Sequence, residues 1–254
     1  MRLLLDIGNT RIKWARQSTT GLSQQQAIAL VDLSATQLET RVFASDQPIT
    51  QVLVSNVAGE ALAEQVRQAA RECWQLDPLF VVSSASATIA GRTLHNAYNE
   101  PGKLGVDRWL AMLGAVAMSP VAALVVSVGT AMTLDAVVPD ATNNTTQHLG
   151  GLIAPGPDLM MQSLMHNTSD IATRAQQGQH GEHFFADNTL GCVYQGSVHA
   201  VVALIEAAHA RLRTTQEDAR LLITGGAAAQ IQPHLSTSAQ AVPDLVLRGL
   251  AALS

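Results

Sequence analysis

The sequence predicts an α/β protein built from two similar halves. A strand–helix–strand run over residues 52–82 is typical of an α/β unit with a right-handed crossover. A pair of short strands joined through a glycine-containing turn occurs twice, at residues 4–14 and 125–134. Because each copy would open one half of the chain, we expect two domains, residues 1–118 and 119–254, with a central cleft between them.

Hydrophobic patterning predicts the elements of the first half. Residues 3–8 form a short apolar run and residues 11–15 alternate in polarity, which together predict a hairpin. Leu62 and Val66 recur at helical spacing within a predicted helix at 60–75. The other elements expected here are strands at 52–57 and 79–82, a loop at 94–108, and a helix from Trp109 to Met118.

The second half opens with the most apolar strand of the chain, residues 121–128. An outgoing strand at 131–138 and a polar surface loop at 139–148 follow it. Residues 193–213 have the periodicity of a strongly amphipathic helix. The remaining predictions are a helix at 159–165, an irregular segment at 167–188, and a strand at 221–226 that is followed by a helix.

Charge and composition argue against several classes of protein. With 15 Lys and Arg against 20 Asp and Glu, the chain has no basic surplus with which to bind a nucleic-acid backbone. Asp6 interrupts the first apolar run, and the longest one, 121–128, is far below the ~20 residues that cross a bilayer. Cys73 and Cys192 lack zinc-ligand spacing and are typical of thiols buried in a protein of the reducing cytoplasm. We therefore expect a cytoplasmic protein that binds neither nucleic acid nor membranes.

The first candidate for phosphate binding is the segment Asp6-Ile7-Gly8-Asn9-Thr10. A glycine between two strands lets the backbone approach an anion, and the amides and hydroxyl that follow would donate to phosphate oxygens. An acidic residue at the end of the preceding strand would hold a hydrated Mg²⁺. The same residue types also form ordinary hairpin turns, and the chain has no P-loop or dinucleotide fingerprint. Both interpretations stay open on this motif alone.

The second candidate lies between Ser127 and Asp135, where Gly129-Thr130 would hold the other side of the same phosphate chain. The alternative interpretation of Asp135 is a strand-end residue that faces solvent. The glycines at the end of the strand at 221–226 would pack a flat ring such as adenine or simply close a turn.

The third candidate is Gly105-Val106-Asp107-Arg108, at the predicted start of a helix. Asp107 would act as a general base for a substrate hydroxyl, and Arg108 would hold an anionic group. An Asp in the first turn of a helix also has a purely structural role, because capping and the helix dipole both favour it. Position alone favours the structural role.

Together these segments resemble the type III pantothenate kinase family, whose members catalyse the first step of coenzyme A biosynthesis. The most specific part of the match is the segment from Tyr98 to Arg108. The other matching segments are Asp6 to Thr10 with Lys13-Trp14, Gly129 to Asp135, Gly150 to Gly156, Asn188-Thr189 and Gly225-Gly226.

The resemblance implies two duplicated ribonuclease-H-like domains of the actin and sugar-kinase type, with ATP bound between them. It implies in-line phosphoryl transfer from Mg-ATP to pantothenate, with Asp107 taking the proton of the hydroxyl. The implied pantothenate-binding residues are Tyr98, Gly105, Val106, Asp107 and Arg108, with Thr189 contributing across a homodimer interface. The implied ATP-binding residues are Asp6, Ile7, Gly8, Asn9, Thr10, Arg11, Ile12, Lys13 and Thr130, with Asp6 holding Mg²⁺ through water.

One position departs from the pattern of that family. Ser127 stands where the family typically has an Asp that binds a monovalent cation, potassium or ammonium. A hydroxyl is a weaker ligand for a hard cation than a carboxylate. We therefore expect the cation to bind less tightly here, or mainly through backbone carbonyls.

Two other functions fit the same fold. A non-catalytic nucleotide-binding regulator would keep the architecture without the activity, but the intact Asp6, Asp107 and Arg108 argue against it. A kinase of another small alcohol, such as a sugar, is the second alternative. Tyr98 and the 105–108 segment argue against that one, because they match the pantothenate pattern.

Overall fold

The computed structural model describes residues 1–140, 142–168, 171, 173, 175 and 183–253. The described strands are β1 (Arg2–Ile7), β2 (Arg11–Ser18), β3 (Gly21–Leu22), β4 (Gln26–Ala29), β5 (Gln51–Asn56), β6 (Leu79–Phe80), β7 (Ser86–Ile89), β8 (Arg92–His95), β9 (Ala123–Val128), β10 (Ala131–Pro139), β11 (Thr145–Pro155), β12 (Arg220–Thr224) and β13 (Ala239–Ala241). The α-helices with described bounds are α1 (Ala35–Gln37), α2 (Glu60–Trp74), α3 (Val106–Met118), α4 (Pro157–Asn167), α5 (Thr189–Arg213), α6 (Ala228–Ile231) and α7 (Leu245–Ala252).

The chain packs into two compact units. The first comprises Met1–Pro120, Val137–Gly150 and the chain from Asp244 onward, and the second comprises Val121–Ala136 and Gly151–Pro243. The first unit therefore includes two segments that follow the expected boundary at residue 118 in the sequence. The division into domains 1–118 and 119–254 stays a prediction about the duplicated halves.

A six-stranded sheet forms the centre of the first unit. Strand β2 runs antiparallel to β1, β3 and β4, whereas β5 runs parallel to both β1 and β6. The β1–β2 pair confirms the predicted N-terminal hairpin, and α2 between β5 and β6 confirms the strand–helix–strand run. The sequence reasoning did not predict the β7–β8 hairpin, which also belongs to this unit.

The two faces of this sheet have different roles. Side chains alternate between the faces of a strand, and Leu5 on β1 and Trp14 on β2 are buried with Val66 of α2 in one apolar core. Asp6 and its antiparallel partner Lys13 project from the opposite face. The alternation thus places the candidate carboxylate on the side of the sheet away from that core.

Helix α3 is anchored by a close backbone contact with α7. A Cβ on Gly249 would lie 2.0 Å from the carbonyl oxygen of Leu110, and one on Gly114 would lie 2.3 Å from the carbonyl oxygen of Leu245. Neither position has room for a side chain, so the two helices pack backbone to backbone. Helix α3 also begins at Val106 rather than at the predicted Trp109. The polar residues that suggested a loop occupy its first turn, where the helix dipole favours an acidic side chain.

In the second unit, β12 runs parallel to both β9 and β13, which confirms the strands predicted at 121–128 and 221–226. The surface loop predicted at 139–148 is shorter than expected, because β11 already begins at Thr145. Within the first unit, the start of β11 pairs with β8, and this pairing is what extends the strand. The irregular segment predicted at 167–188 lies largely outside the described residues.

Helix α5 confirms the predicted amphipathic helix and begins four residues earlier, at Thr189. The side chain of Asn188 caps it by accepting a hydrogen bond of 2.9 Å from the backbone N–H of Gly191. Among the described helices, α5 is the one long and apolar enough to cross a membrane by length and composition, and 44% of that window is buried inside the protein. Core helices of soluble proteins pass the same test.

The prediction that both cysteines are buried is wrong. Cys73 and Cys192 are exposed free thiols. Each cysteine lies on a helix close to buried residues. Helical periodicity alone did not show whether its thiol belongs to the buried or the exposed face of that helix.

Candidate active site

Asp6, at the carboxyl end of β1, is a buried carboxylate with 8% of its surface exposed. Burial raises the pKa of Asp6 from 3.8 to about 6, the charge of Lys13 opposes this, and the charge of Asp107 adds to it. Lys13 lies directly across the β1–β2 pair. At neutral pH, Asp6 is therefore ionised but poorly solvated, and a nearby cation would stabilise its charged form.

Each of the two glycine turns that the sequence singled out contains its own backbone hydrogen bond from the glycine. The N–H of Gly8 donates to the carbonyl of Arg11 at 3.0 Å, and the N–H of Gly129 donates to the carbonyl of Ala131 at 3.0 Å. In each turn, the glycine is thus tied to the first residue of the outgoing strand. Within the second unit, the N–H of Gly156 also donates to the carbonyl of Thr130 at 2.8 Å and holds that turn in place.

The predicted ATP-binding residues around the first turn differ in exposure. Asn9, Thr10 and Arg11 are exposed, whereas the side chains of Ile7 and Ile12 are fully buried in the apolar core. A contact from either isoleucine to ATP would therefore use backbone atoms. The resemblance implied all five as ATP-binding residues and did not separate these roles.

Asp107 occupies the first turn of α3. Its Oδ1 accepts a hydrogen bond of 2.9 Å from the backbone N–H of Arg108. A Cβ on Gly105 would lie 2.7 Å from the same oxygen, so a larger residue there would require the carboxylate to shift. The influence of Asp107 on the pKa of Asp6 shows that the two carboxylates are within electrostatic range of each other in the first unit.

Arg108 is 6% exposed, and its side chain reaches Tyr98. Nη1 donates a hydrogen bond of 2.8 Å to the Tyr98 hydroxyl, and Cζ lies 5.7 Å from the centroid of the ring. His148 on β11 also contacts that ring, and its imidazole stacks on it at 6.3 Å between centroids and 15° between planes. Sequence reasoning missed His148, because a single His in a polar segment has no distinctive spacing.

The remaining predicted residues lie in the second unit. Ser127 is half-buried on β9 beside Thr224 of β12, and Thr130 is exposed. Asp135 is 2% exposed, so the interpretation of it as a solvent-facing residue is wrong. Thr189 lines a cavity of about 1080 Å³ between α4 and α5.

Comparison with known proteins decides the family. The model of the type III pantothenate kinase family matches residues 2–211. A relative of that name from Nitrosococcus oceani is 33% identical over 260 residues, which cover 99% of this chain and 92% of the relative. This chain belongs to the type III pantothenate kinase family. The resemblance inferred from the motifs is thereby confirmed, and the protein is a kinase, a transferase of phosphoryl groups.

Two solved structures share the fold of this chain. A protein from Campylobacter jejuni described as a Baf family transcriptional activator has a TM-score of 0.59 at 20% identity, covering 98% of this chain and 95% of its own. A protein from Sinorhizobium meliloti described as a 2-dehydro-3-deoxygalactonokinase has a TM-score of 0.54 at 14% identity, covering 99% of this chain and 97% of its own. At these identities the likeness shows the fold alone. It confirms the predicted α/β architecture of the sugar-kinase type.

The carboxylates of this pantothenate kinase family member suit Mg²⁺ bound together with substrate phosphates better than a metal ion coordinated by protein side chains alone. Among the described residues, no group of three or more His, Cys, Asp or Glu is arranged to hold a metal ion. Mg²⁺ usually keeps several waters and is bound through one or two carboxylates together with substrate phosphates. The buried carboxylate of Asp6 lies beside a turn whose residues Asn9 and Thr10 are exposed, and this arrangement fits that mode of binding.

Proposed function

We propose that this protein transfers the γ-phosphoryl group of ATP to the terminal hydroxyl of pantothenate and so forms 4'-phosphopantothenate. The supporting observation is the grouping of Asp6, Asp107, Arg108 and Tyr98 within one unit of the chain. It combines a buried carboxylate beside a glycine turn with a second carboxylate next to a guanidinium that is bonded to Tyr98. Family membership supplies the substrates, and the geometry suggests how the work is divided among these residues.

On the ATP side, backbone amides of the turn at residues 8–10 would donate to phosphate oxygens. Lys13 would add a positive charge, and Thr130 would contact the phosphates from the second glycine turn. Asp6 would hold Mg²⁺ through water, and the bound ion would neutralise charge on the phosphoryl group during transfer. Asp6 must be deprotonated for this role, and a pKa of about 6 keeps it so at neutral pH.

On the pantothenate side, Asp107 would accept the proton of the attacking hydroxyl as the bond from oxygen to phosphorus forms and the bond to ADP breaks. Arg108 would bind the pantothenate carboxylate, because a planar guanidinium presents paired donors to a carboxylate. Its bond to Tyr98 holds the guanidinium in one orientation before the substrate arrives. Gly105 and Val106 would shape the backbone beside it, and catalysis would depend mainly on positioning.

The proposal includes a monovalent cation, potassium or ammonium, near Ser127. The Ser127 hydroxyl is half-buried at the carboxyl end of β9, close to the Gly129-Thr130 turn in sequence. Without a carboxylate, the cation would be held weakly or by backbone carbonyls.

The proposal also includes a homodimer and a cytoplasmic location. Thr189 would contribute to pantothenate binding from the second protomer. In support, Thr189 lines a cavity that is also lined by the exposed apolar side chains of Leu159 and Leu164. Light scattering after size exclusion tests this, and a monomer at micromolar protein would contradict the shared-site role.

A coupled assay for ADP, with ATP, Mg²⁺ and pantothenate, tests the activity, and mass spectrometry identifies the product. We expect Asp107→Asn to lower kcat by ~10²–10⁴-fold, the usual contribution of a general base. Asp158→Asn is the matched control, since Asp158 is also an acidic residue in the first turn of a helix, α4. Wild-type turnover in Asp107→Asn would contradict the assigned base. ATP consumption with a sugar but not with pantothenate would contradict the substrate.

A further inference from the structure

We propose that His148 is a positioning residue that holds the Tyr98 ring, so that the Tyr98 hydroxyl keeps Arg108 oriented for the anionic substrate. The choice of pantothenate as the substrate in the test rests on the proposed function. The positioning itself rests on contacts within the first unit. His148 acts through Tyr98 and is not assigned a contact with the reacting atoms.

The stack between the two rings is the main contact. Tyr98 is half-buried and His148 is 3% exposed, so the imidazole presents a fixed surface to a ring that has more freedom. The planes differ by 15° and the centroids are 6.3 Å apart, an offset parallel arrangement that aromatic pairs favour. His148 is held in turn by the strand β11 that carries it.

A second contact fixes the backbone that leads to Tyr98. The N–H of Ala97 lies 3.4 Å from Nδ1 of His148, and the N–H of Tyr98 donates to Oδ1 of Asn96 at 3.0 Å. The side-chain NH₂ group of Asn96 donates to the backbone carbonyl oxygens of Ser84 and Pro101. Asn96 thus sets the path of the loop, and His148 adds contacts both to that loop and to the ring it carries.

The consequence for binding follows from the bond between Tyr98 and Arg108. The hydroxyl can accept from Nη1 at 2.8 Å only while the ring keeps its present orientation. If His148 is removed, the ring gains other orientations, and the fraction of protein with Arg108 correctly held falls. Apparent affinity falls by the same fraction, so the effect belongs to the KM for the substrate that Arg108 binds.

Three substitutions separate the ring stack of His148 from its contact with the backbone of Ala97. His148→Phe keeps an aromatic ring but has no acceptor for the N–H of Ala97. His148→Asn keeps an acceptor near the position of Nδ1 but has no ring. His148→Ala removes both, and thermal melts identify any variant that fails to fold.

We expect His148→Ala to raise the KM for pantothenate about two- to tenfold, the size expected from the loss of an aromatic pair. The KM for ATP and kcat should change little, because the proposed ATP residues lie on the β1–β2 hairpin and at Thr130, not on the loop that carries Tyr98. His148→Phe should recover most of the loss and His148→Asn little of it. In a Tyr98→Phe background, which lacks the hydroxyl, His148→Ala should add almost nothing. An equal effect in both backgrounds, or an equal rise in the KM for ATP, would overturn the proposal.

A second measurement does not depend on activity. The chain has two tyrosines, so fluorotyrosine labelling gives two ¹⁹F resonances, and Tyr98→Phe assigns them. We expect His148→Ala to shift or broaden the Tyr98 resonance, His148→Phe to restore it, and Tyr194 to serve as the internal control. An unchanged Tyr98 resonance in His148→Ala would refute the positioning role. Failure of the wild-type protein to phosphorylate pantothenate would instead refute the proposed function, and the resonances would still decide the role of His148.

Discussion

Replacing Asp6 by Asn should stabilise the fold at neutral and alkaline pH while it removes the proposed magnesium ligand. Burial, as the largest cause, raises the pKa of Asp6 from 3.8 to about 6. A shift of about two units corresponds to about 3 kcal/mol of folding free energy, since each unit is 1.36 kcal/mol. The sign follows from proton binding. Between these two pKa values the native state holds the proton that the unfolded state has lost, so stability falls as pH rises through this window and stays reduced above it.

The test is urea unfolding of the wild-type protein and Asp6→Asn at a series of pH values from about 3.5 to 8. Near pH 3.5 the Asp6 carboxyl is mostly protonated in the native protein and resembles the amide of Asn. The pH-dependent part of the difference in unfolding free energy between the two proteins should therefore be small. At pH 8, Asp6→Asn should be more stable by up to about 3 kcal/mol, with most of the change between pH 4 and 7. Other titrating groups are common to both proteins and cancel in the difference.

Asp32→Asn is the control, because Asp32 is exposed and its substitution reports the effect of removing one surface charge. A difference between wild type and Asp6→Asn that does not change with pH would refute the reasoning. So would a wild-type protein that is the more stable of the two at pH 8. The same variant should lose activity, which would show that the buried charge is kept for function at a cost in stability.

The remaining predictions concern packing, capping and cation binding. Gly249→Ala should cost about 1–3 kcal/mol in urea unfolding, because its Cβ would lie 2.0 Å from the carbonyl oxygen of Leu110. Gly196→Ala on α5 is the matched control. Apart from the neighbouring backbone of that helix, its Cβ would meet no atom within 4 Å, so the change should be neutral or stabilise by up to about 1 kcal/mol. Asn188→Ala should cost about 1 kcal/mol by removing the cap of α5, and an unchanged unfolding midpoint would contradict that role. A potassium or ammonium titration of activity should saturate at lower salt in Ser127→Asp than in the wild type, whereas strong saturating activation of the wild type at low salt would contradict weak cation binding.

Local patterns were enough for much of the fold and for several candidate residues. The hairpin at residues 3–15, the helix after the strand at 52–57, and the apolar strand at 121–128 follow from periodicities that involve only neighbours in sequence. Asp6, Asp107 and Arg108 could be proposed because a glycine turn and a helix start restrict what acidic and basic side chains do there. The sequence pattern predicted the start of α3 three residues too late, because the polar residues of its first turn have the composition of a loop.

Contacts between distant parts of the chain decided the rest. The pKa of Asp6 depends on strands that pack around it and on Asp107, about a hundred residues away in sequence. The stack on Tyr98 comes from His148, fifty residues further along, and the close contact of α3 with α7 joins Leu110 to Gly249. Sequence alone therefore determined the kind of protein and the residues with suitable chemistry. Only the tertiary structure decided their solvation and orientation, because desolvation and packing arise when segments far apart in sequence come together.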